Sequence, residues 1–231
     1  MNIHFILVEP AVPQNIGAAA RAIKTMGFDS LWIVNSRQYQ KKEAQYLAHG
    51  AGDILEKIQY FPSFKAVTDS LDFSIATTSK SRSVRYDYLN GNELPSFLIK
   101  KSKIIHEIGI VFGREEYGLK NEELKQCDIA SSIPLHTSYP SLNLGQSVML
   151  YAYILSELKK NDTVRKPDKK NQNAEMEVLK RKIEKILPEI GFEKESNIYG
   201  RIFERLMKIT QDDIHILHSI ANKILEKNSI K

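Results

Sequence analysis

The sequence predicts an α/β domain built on a mostly parallel sheet, followed by a small all-helical extension. Three observations carry that prediction. The apolar runs IHFILV, LWIV and IGIVF have strand length and are continuous rather than alternating, as in strands covered on both faces. Helical patterns lie between them, the alternation that builds βαβ units. After Leu158 the strand-like runs stop and only helical patterns remain.

In chain order, residues 3–8 form the first strand, closed by Glu9-Pro10 and a loop containing Pro13. Asn15 is predicted to cap the helix IGAAARAIKTM, which Gly27 ends at the position that favours a left-handed backbone. Residues 31–34 give a second strand, 45–58 a helix interrupted at Gly50 and Gly52, and 63–71 another helix. Residues 73–76 form a third strand leading into Thr77, Thr78 and Ser79, and 108–112 a fourth ending at Gly113. Asn121 is predicted to cap a short helix, and 129–135 supply a fifth strand. Residues 144–158 make an amphipathic helix with Leu144, Val148, Tyr151, Ala152 and Leu155 on one face. These elements define a domain over 1–158. Residues 159–173, polar and basic with Pro167, read as a linker, and 174–231 as a helical extension with helices over 174–187, 197–209 and 211–227, the last capped by Thr210.

Composition narrows the function. The balance of 42% hydrophobic and 26% charged residues suits a soluble globular protein. No apolar run approaches the roughly 18 residues of a membrane span, and the first residues lack a secretory pattern, so the expected setting is the cytoplasm. A lone cysteine, Cys127, forms no internal disulfide. The six histidines are scattered, apart from His215 and His218, and no metal site is expected. The net charge of +5 is localised: residues 1–158 and 186–231 balance, while 159–185 hold ten basic and five acidic side chains. Such a stripe is either a solvated linker or the footprint of a polyanion partner.

Four clusters follow predicted strands, where open α/β sheets bind ligands. The first is NIGAAAR, with Asn15 at a helix start, Gly17 open to close ligand approach, and Arg21 and Lys24 available to phosphate. The second is Thr77-Thr78-Ser79, followed by Lys80, Arg82 and Arg85. The third, GREEYGL, sets two carboxylates between glycines; a salt bridge between Glu115 and Arg21 would explain one of them. The fourth is the loop IPLHTSYPSLNL, residues 133–144, with two prolines before Ser141, Leu142 and Asn143. Each alone also fits a capped turn or a solvated surface.

In this order and spacing the motifs Asn15–Ala22, Gly113–Leu119 and Ile133–Leu144 resemble the SpoU branch of the SPOUT RNA methyltransferases. TMGF, LWIVN, FGREEYGLKNEEL and GFEKES are similar to the TrmJ type. That resemblance implies a deep C-terminal trefoil knot over 113–158, a rarity among folds, and S-adenosylmethionine as cofactor. It places the cofactor against Thr78, Ser79, Gly113, Ile133, Ser141 and Leu142. It implies 2′-O-ribose methylation of tRNA, at nucleotide 32 of the anticodon loop, with Arg21, Asn15, Glu115, Ser141 and Asn143 as catalytic residues. RNA contacts would come from Arg21, Lys24, Arg82 and Arg85. The family is dimeric, and the apolar face of helix 144–158 is a candidate contact surface. Pro140 departs from the pattern, standing where a small hydroxyl residue is common.

Two other classes compete. A Rossmann oxidoreductase requires a glycine-rich turn after the first strand, where this chain has VEPAVPQNIG. A non-catalytic RNA-binding relic of the same fold does not need Arg21, Glu115 and Asn143 together. Within the methyltransferases, another 2′-O site such as the wobble nucleotide is the runner-up.

Overall fold

The computed structural model describes residues 1–79, 88–102, 104–135, 141–161, 172–206, 208–209 and 211–228. Two compact units make up the chain: Met1–Ile99 with Glu107–Arg165, and Lys100–His106 with Lys166–Lys231. This differs from a cut at residue 158 in two respects: residues 100–106 group with the C-terminal helices, and the first unit runs on to Arg165.

Among the described residues the first unit has seven strands: β1 (Asn2–Val8), β2 (Leu31–Val34), β3 (Gln59–Phe61), β4 (Phe73–Thr77), β5 (Tyr88–Asn90), β6 (Glu107–Phe112) and β7 (Ile129–Ser132). They line up as β3-β2-β1-β6-β4-β7-β5, and every pairing is parallel. In the centre Phe5 pairs with Leu31 on one side and Ile110 on the other. Phe5, Ile6, Leu7, Ile33, Ile75 and Ile110 are fully buried, as continuous apolar strands require. β7, last in sequence, lies between the earlier strands β4 and β5. It ends at Ser132, short of the predicted residue 135, because Pro134 has no N–H for a ladder.

The helices of this unit are α1 (Pro13–Thr25), α2 (Lys42–Ala48), α3 (Gly52–Glu56), α4 (Phe64–Thr68), α5 (Leu94–Lys101, which runs into the second unit), α6 (Asn121–Gln126), α7 (Leu144–Leu155) and α8 (Glu157–Asn161). α1 begins two residues before Asn15, because Pro13 presets the helical φ at the first position. Asn15 is therefore inside the first turn, 8% exposed, and is not the cap. Gly27 does end this helix with φ +82°. The predicted helix 45–58 is two helices, split where His49 and Gly50 take positive φ. Asn121 is the first residue of α6 rather than its cap; Lys120 precedes it and its N–H donates to Glu123 Oε2 at 2.7 Å. Ser63 caps α4 through Ala66 N–H.

α1 packs between α2 and α7. Close approach is set by two glycines. A Cβ on Gly17 would collide with the Ala44 carbonyl oxygen of α2, and one on Gly145 would lie 2.9 Å from Ala18 Cβ. Gly17 thus serves helix packing, which corrects the expectation that it leaves room for a ligand. The apolar face of α7 is likewise used within the chain: Val148, Ala152 and Leu155 are fully buried. That face is not available to a second copy, because the unit's own core needs it.

In the second unit, α9 (Gln172–Glu189) packs on α11 (Gln211–Asn228), with α10 (Asn197–Leu206) between them in sequence. Leu179, Ile214 and Ala221 are fully buried. Lys182 Nζ donates to Asn222 Oδ1 at 2.7 Å, and Lys101 Nζ to the Ile209 carbonyl at 2.9 Å. Thr210, predicted to cap α11, lies outside the described residues. Among the described residues no helix is long and apolar enough to cross a membrane, and no group of three or more His, Cys, Asp or Glu could hold a metal.

Candidate functional site

A cavity of about 300 Å3 opens at the carboxyl ends of β4, β6 and β7. Thr77, Thr78 and Ser79 come from the end of β4, and Phe112 and Gly113 from the end of β6. Ile133, Ser141 and Leu142 follow β7, and Tyr151 reaches in from α7. Local bonds fix these walls. Thr77 Oγ1 donates to the Val111 carbonyl at 2.9 Å, and Thr78 N–H to the Ser131 carbonyl at 3.0 Å. Tyr151 donates to Ser131 Oγ at 3.2 Å, and burial pushes its phenol well above the usual range.

The loop after β6 forms the floor. Arg114 and Gly118 exchange backbone hydrogen bonds of 3.2 and 2.9 Å, and Gly118 takes φ +71°. This tight ring folds back over Gly113, where a Cβ would collide with the backbone of Gly118 and Leu119. Arg114, 7% exposed, locks the ring: Nε donates to Glu9 Oε2 at 2.6 Å, and the two terminal nitrogens donate to both Glu123 oxygens at 2.9 and 2.8 Å. The guanidinium holds the Glu9 carboxyl below its usual range, against the opposing effect of burial.

Glu115 points the other way and ties the three motifs together. Its carboxylate accepts from Ala11 N–H at 3.1 Å, Val12 N–H at 3.2 Å and Asn15 Nδ2 at 3.0 Å. α1 has no side-chain cap of its own, so Glu115 supplies negative charge at its positive end. Asn15 Oδ1 in turn accepts from Asn143 Nδ2 at 2.8 Å. Asn143 Oδ1 caps α7, accepting from Gly145 N–H at 2.8 Å and Gln146 N–H at 3.4 Å. The relay Glu115–Asn15–Asn143 therefore joins residues 100 and 128 positions apart. Burial pushes the Glu115 carboxyl upward, but the hydrogen bonds from Asn15, Ala11 and Val12 outweigh it and hold the group below its usual value.

The cavity thus gathers Thr78, Ser79, Gly113, Glu115, Ile133, Ser141 and Leu142. Asn15 and Asn143 do not line it and are linked to it through Glu115. Arg21 is exposed and does not line it. It lies six positions beyond Asn15, about 9 Å along the helix axis. No ion pair joins it to Glu115, whose carboxylate is taken up by the amino end of α1. Lys24 is engaged elsewhere, donating to Asp53 at 2.6 Å and to the Gly50 carbonyl at 2.7 Å. Arg82, Arg85 and Pro140 lie outside the described residues. Sequence reasoning missed the roles of Arg114, Glu9 and Glu123. A lone arginine between a glycine and two acids carried the only signal, and its partners lie 105 residues back and 9 residues ahead.

Comparison with known proteins agrees with this geometry. Residues 2–153 match the SpoU rRNA Methylase family, and residues 173–228 match the C-terminal domain of the tRNA/rRNA methyltransferase LasT. The chain is 38% identical over 234 residues to LasT of Escherichia coli K12, described as an uncharacterized tRNA/rRNA methyltransferase, covering 100% of both. It is 30% identical to the tRNA (cytidine/uridine-2′-O-)-methyltransferase TrmJ of Photorhabdus laumondii, covering 96% of both. Among solved structures, a probable methylase family protein from Haemophilus influenzae superposes with a TM-score of 0.65 at 28% identity, over 99% of this chain and 98% of that one. A cavity at the carboxyl end of a parallel sheet, the three motifs bonded around it and the match over two thirds of the chain lead to one conclusion: the protein belongs to the SpoU methylase family.

Proposed function

We propose that the protein is an S-adenosylmethionine-dependent 2′-O-ribose methyltransferase of tRNA, acting on nucleotide 32 of the anticodon loop. The observation that carries this reading is the Glu115–Asn15–Asn143 relay at the edge of the cavity, which brings three separated motifs to one place. The insertion of β7 between β4 and β5 supports a trefoil knot over 113–158.

The cavity suits the cofactor. Its volume falls at the lower end of small-ligand pockets, roughly 300–1,000 Å3. Ile133, Leu142 and Leu144 offer apolar walls beside the polar Thr78, Ser79 and Ser141, a mixture that fits an adenosine carrying a charged tail. Thr78, Ser79, Gly113, Ile133, Ser141 and Leu142 would hold it. When bound, the cofactor supplies an electrophilic sulfonium methyl.

The chain's own task is positioning and proton removal. A guanidinium does not give up its proton, so Arg21 is no simple base. It grips the phosphate beside the target ribose and orients the 2′-hydroxyl, and a phosphate oxygen accepts the proton. Glu115, Asn15 and Asn143 hold the loops, and Ser141 faces the ribose. Because Arg21 does not line the cavity of its own chain, it serves the cavity of a second copy in a homodimer. Residues 159–185 and the helical extension add affinity for tRNA.

The test is single-turnover methylation by Arg21→Ala, with cofactor binding titrated separately. Loss of about a hundredfold or more in rate with cofactor affinity intact is expected. Transfer at the wild-type rate would overturn the assignment.

A further inference from the structure

We infer that the loop after β2 and the outer face of α2 form a second RNA-binding site, a platform for an unpaired nucleotide and its flanking phosphates. The inference rests on the reading that the substrate is RNA. Because every strand is parallel, the loop at 35–41 leaves the same end of the sheet as the cavity, across β1 from it.

Three features build the platform. The first is aromatic exposure: Tyr46 is 79% exposed, which leaves its ring open to a stacking base. It lies four residues from Lys42 in α2, on the side away from Ala44 and Ala48, which are buried. The second is uncompensated charge. Arg37, Lys41 and Lys42 are exposed, and among the described residues none of them forms an ion pair. The Arg37 guanidinium stacks 3.7 Å over the Tyr60 ring and donates to the Tyr39 hydroxyl at 3.1 Å. Stacking fixes its plane and leaves donors for phosphate.

The third feature is rigidity. Asn35 N–H donates to the Phe61 carbonyl at 2.9 Å, and Ser36 Oγ to the Pro10 carbonyl at 2.8 Å. Asn35 Nδ2 donates to Glu9 Oε1 at 3.1 Å, and Glu9 is held by Arg114. The platform is thus fixed to the same loops that the motif relay positions. Cations beside an exposed ring are the chemistry that takes single-stranded nucleic acid, with stacking on the base and ion pairing to the backbone.

The experiment uses the full chain and measures affinity for an RNA hairpin with an unpaired loop against a fully paired duplex of matched composition. Tyr46→Ala is expected to weaken hairpin binding about tenfold, Tyr46→Phe to keep it, and duplex binding to change less. Replacing Arg37, Lys41 and Lys42 together by alanine is expected to reduce the slope of log affinity against log salt by roughly 2. Hairpin affinity unchanged in all these variants overturns the platform. So does a change in sedimentation of Tyr46→Ala without any change in RNA affinity, which would assign the face to a second copy. Methyl transfer is read separately on the wild-type protein: no transfer by it, together with loss of hairpin binding in Tyr46→Ala, would sink the proposed function and leave the platform standing.

Discussion

The two ends of the parallel sheet put polar side chains to different use. At the amino end, His4 stacks on Trp32 with centroids 4.0 Å apart, and its ring nitrogens lie 2.7 Å from Ser30 Oγ and 2.7 Å from Glu107 Oε2. Asn2 donates to Glu107 at 2.6 Å, and Asp128 accepts from both N–H and Oγ of Ser74 at 2.8 Å. These groups answer one another and fix strand register. At the carboxyl end, bonds such as Arg114–Glu9 and Asn15–Asn143 join loops, and the walls they hold enclose space. A Ser–His–acid constellation at one end is structural, while a relay of amides at the other frames a cavity. Residue type alone does not tell them apart; position relative to strand direction does.

The largest effect is expected from Arg114→Ala, which leaves Glu9 and Glu123 facing each other without their cation. A loss of about 3–5 kcal/mol in urea unfolding is expected, and a loss below 1 kcal/mol would show that the carboxyl-end loops are held by something else. Gly17→Ala forces α1 and α2 apart and is expected to cost about 1–3 kcal/mol with cofactor affinity unchanged. Cofactor affinity falling without a loss of stability would return Gly17 to the ligand. His4→Ala and Asn15→Ala then compare the two ends directly. Each is expected to lose about 1–2 kcal/mol, but only Asn15→Ala is expected to slow methyl transfer; slowing by His4→Ala would break the division.

The smallest effect concerns pH. The folded Glu115 carboxyl sits below its ordinary value of 4.5, so it adds stability above that pH and loses it as pH falls through the folded value. Glu115→Gln is expected to flatten the stability profile of the protein on the acid side of 4.5. An unchanged profile would mean that the hydrogen bonds to Ala11, Val12 and Asn15 do not favour the charged form.

Long continuous strands were legible in the sequence because burial on both faces leaves an unbroken apolar run. The edge strands β3 and β5 were not, since three residues such as QYF or YLN carry no period. Asn15 looked like a cap because asparagine is a strong cap former, and Pro13 took precedence by starting the helix earlier. Gly17 and Glu115 were legible as unusual residues but not in their partners, because Ala44 and the amino end of α1 are brought to them by tertiary packing. The positions around the cavity were found through motif order, and strand direction explains why residues so far apart in sequence meet there.

The most direct measurement incubates the purified protein with labelled S-adenosylmethionine and unmodified tRNA and maps the methyl group by nuclease digestion and mass spectrometry. The expected result is a single methyl on the 2′-oxygen of nucleotide 32. A methyl on a base, a ribose methyl elsewhere, or no transfer at all would contradict it.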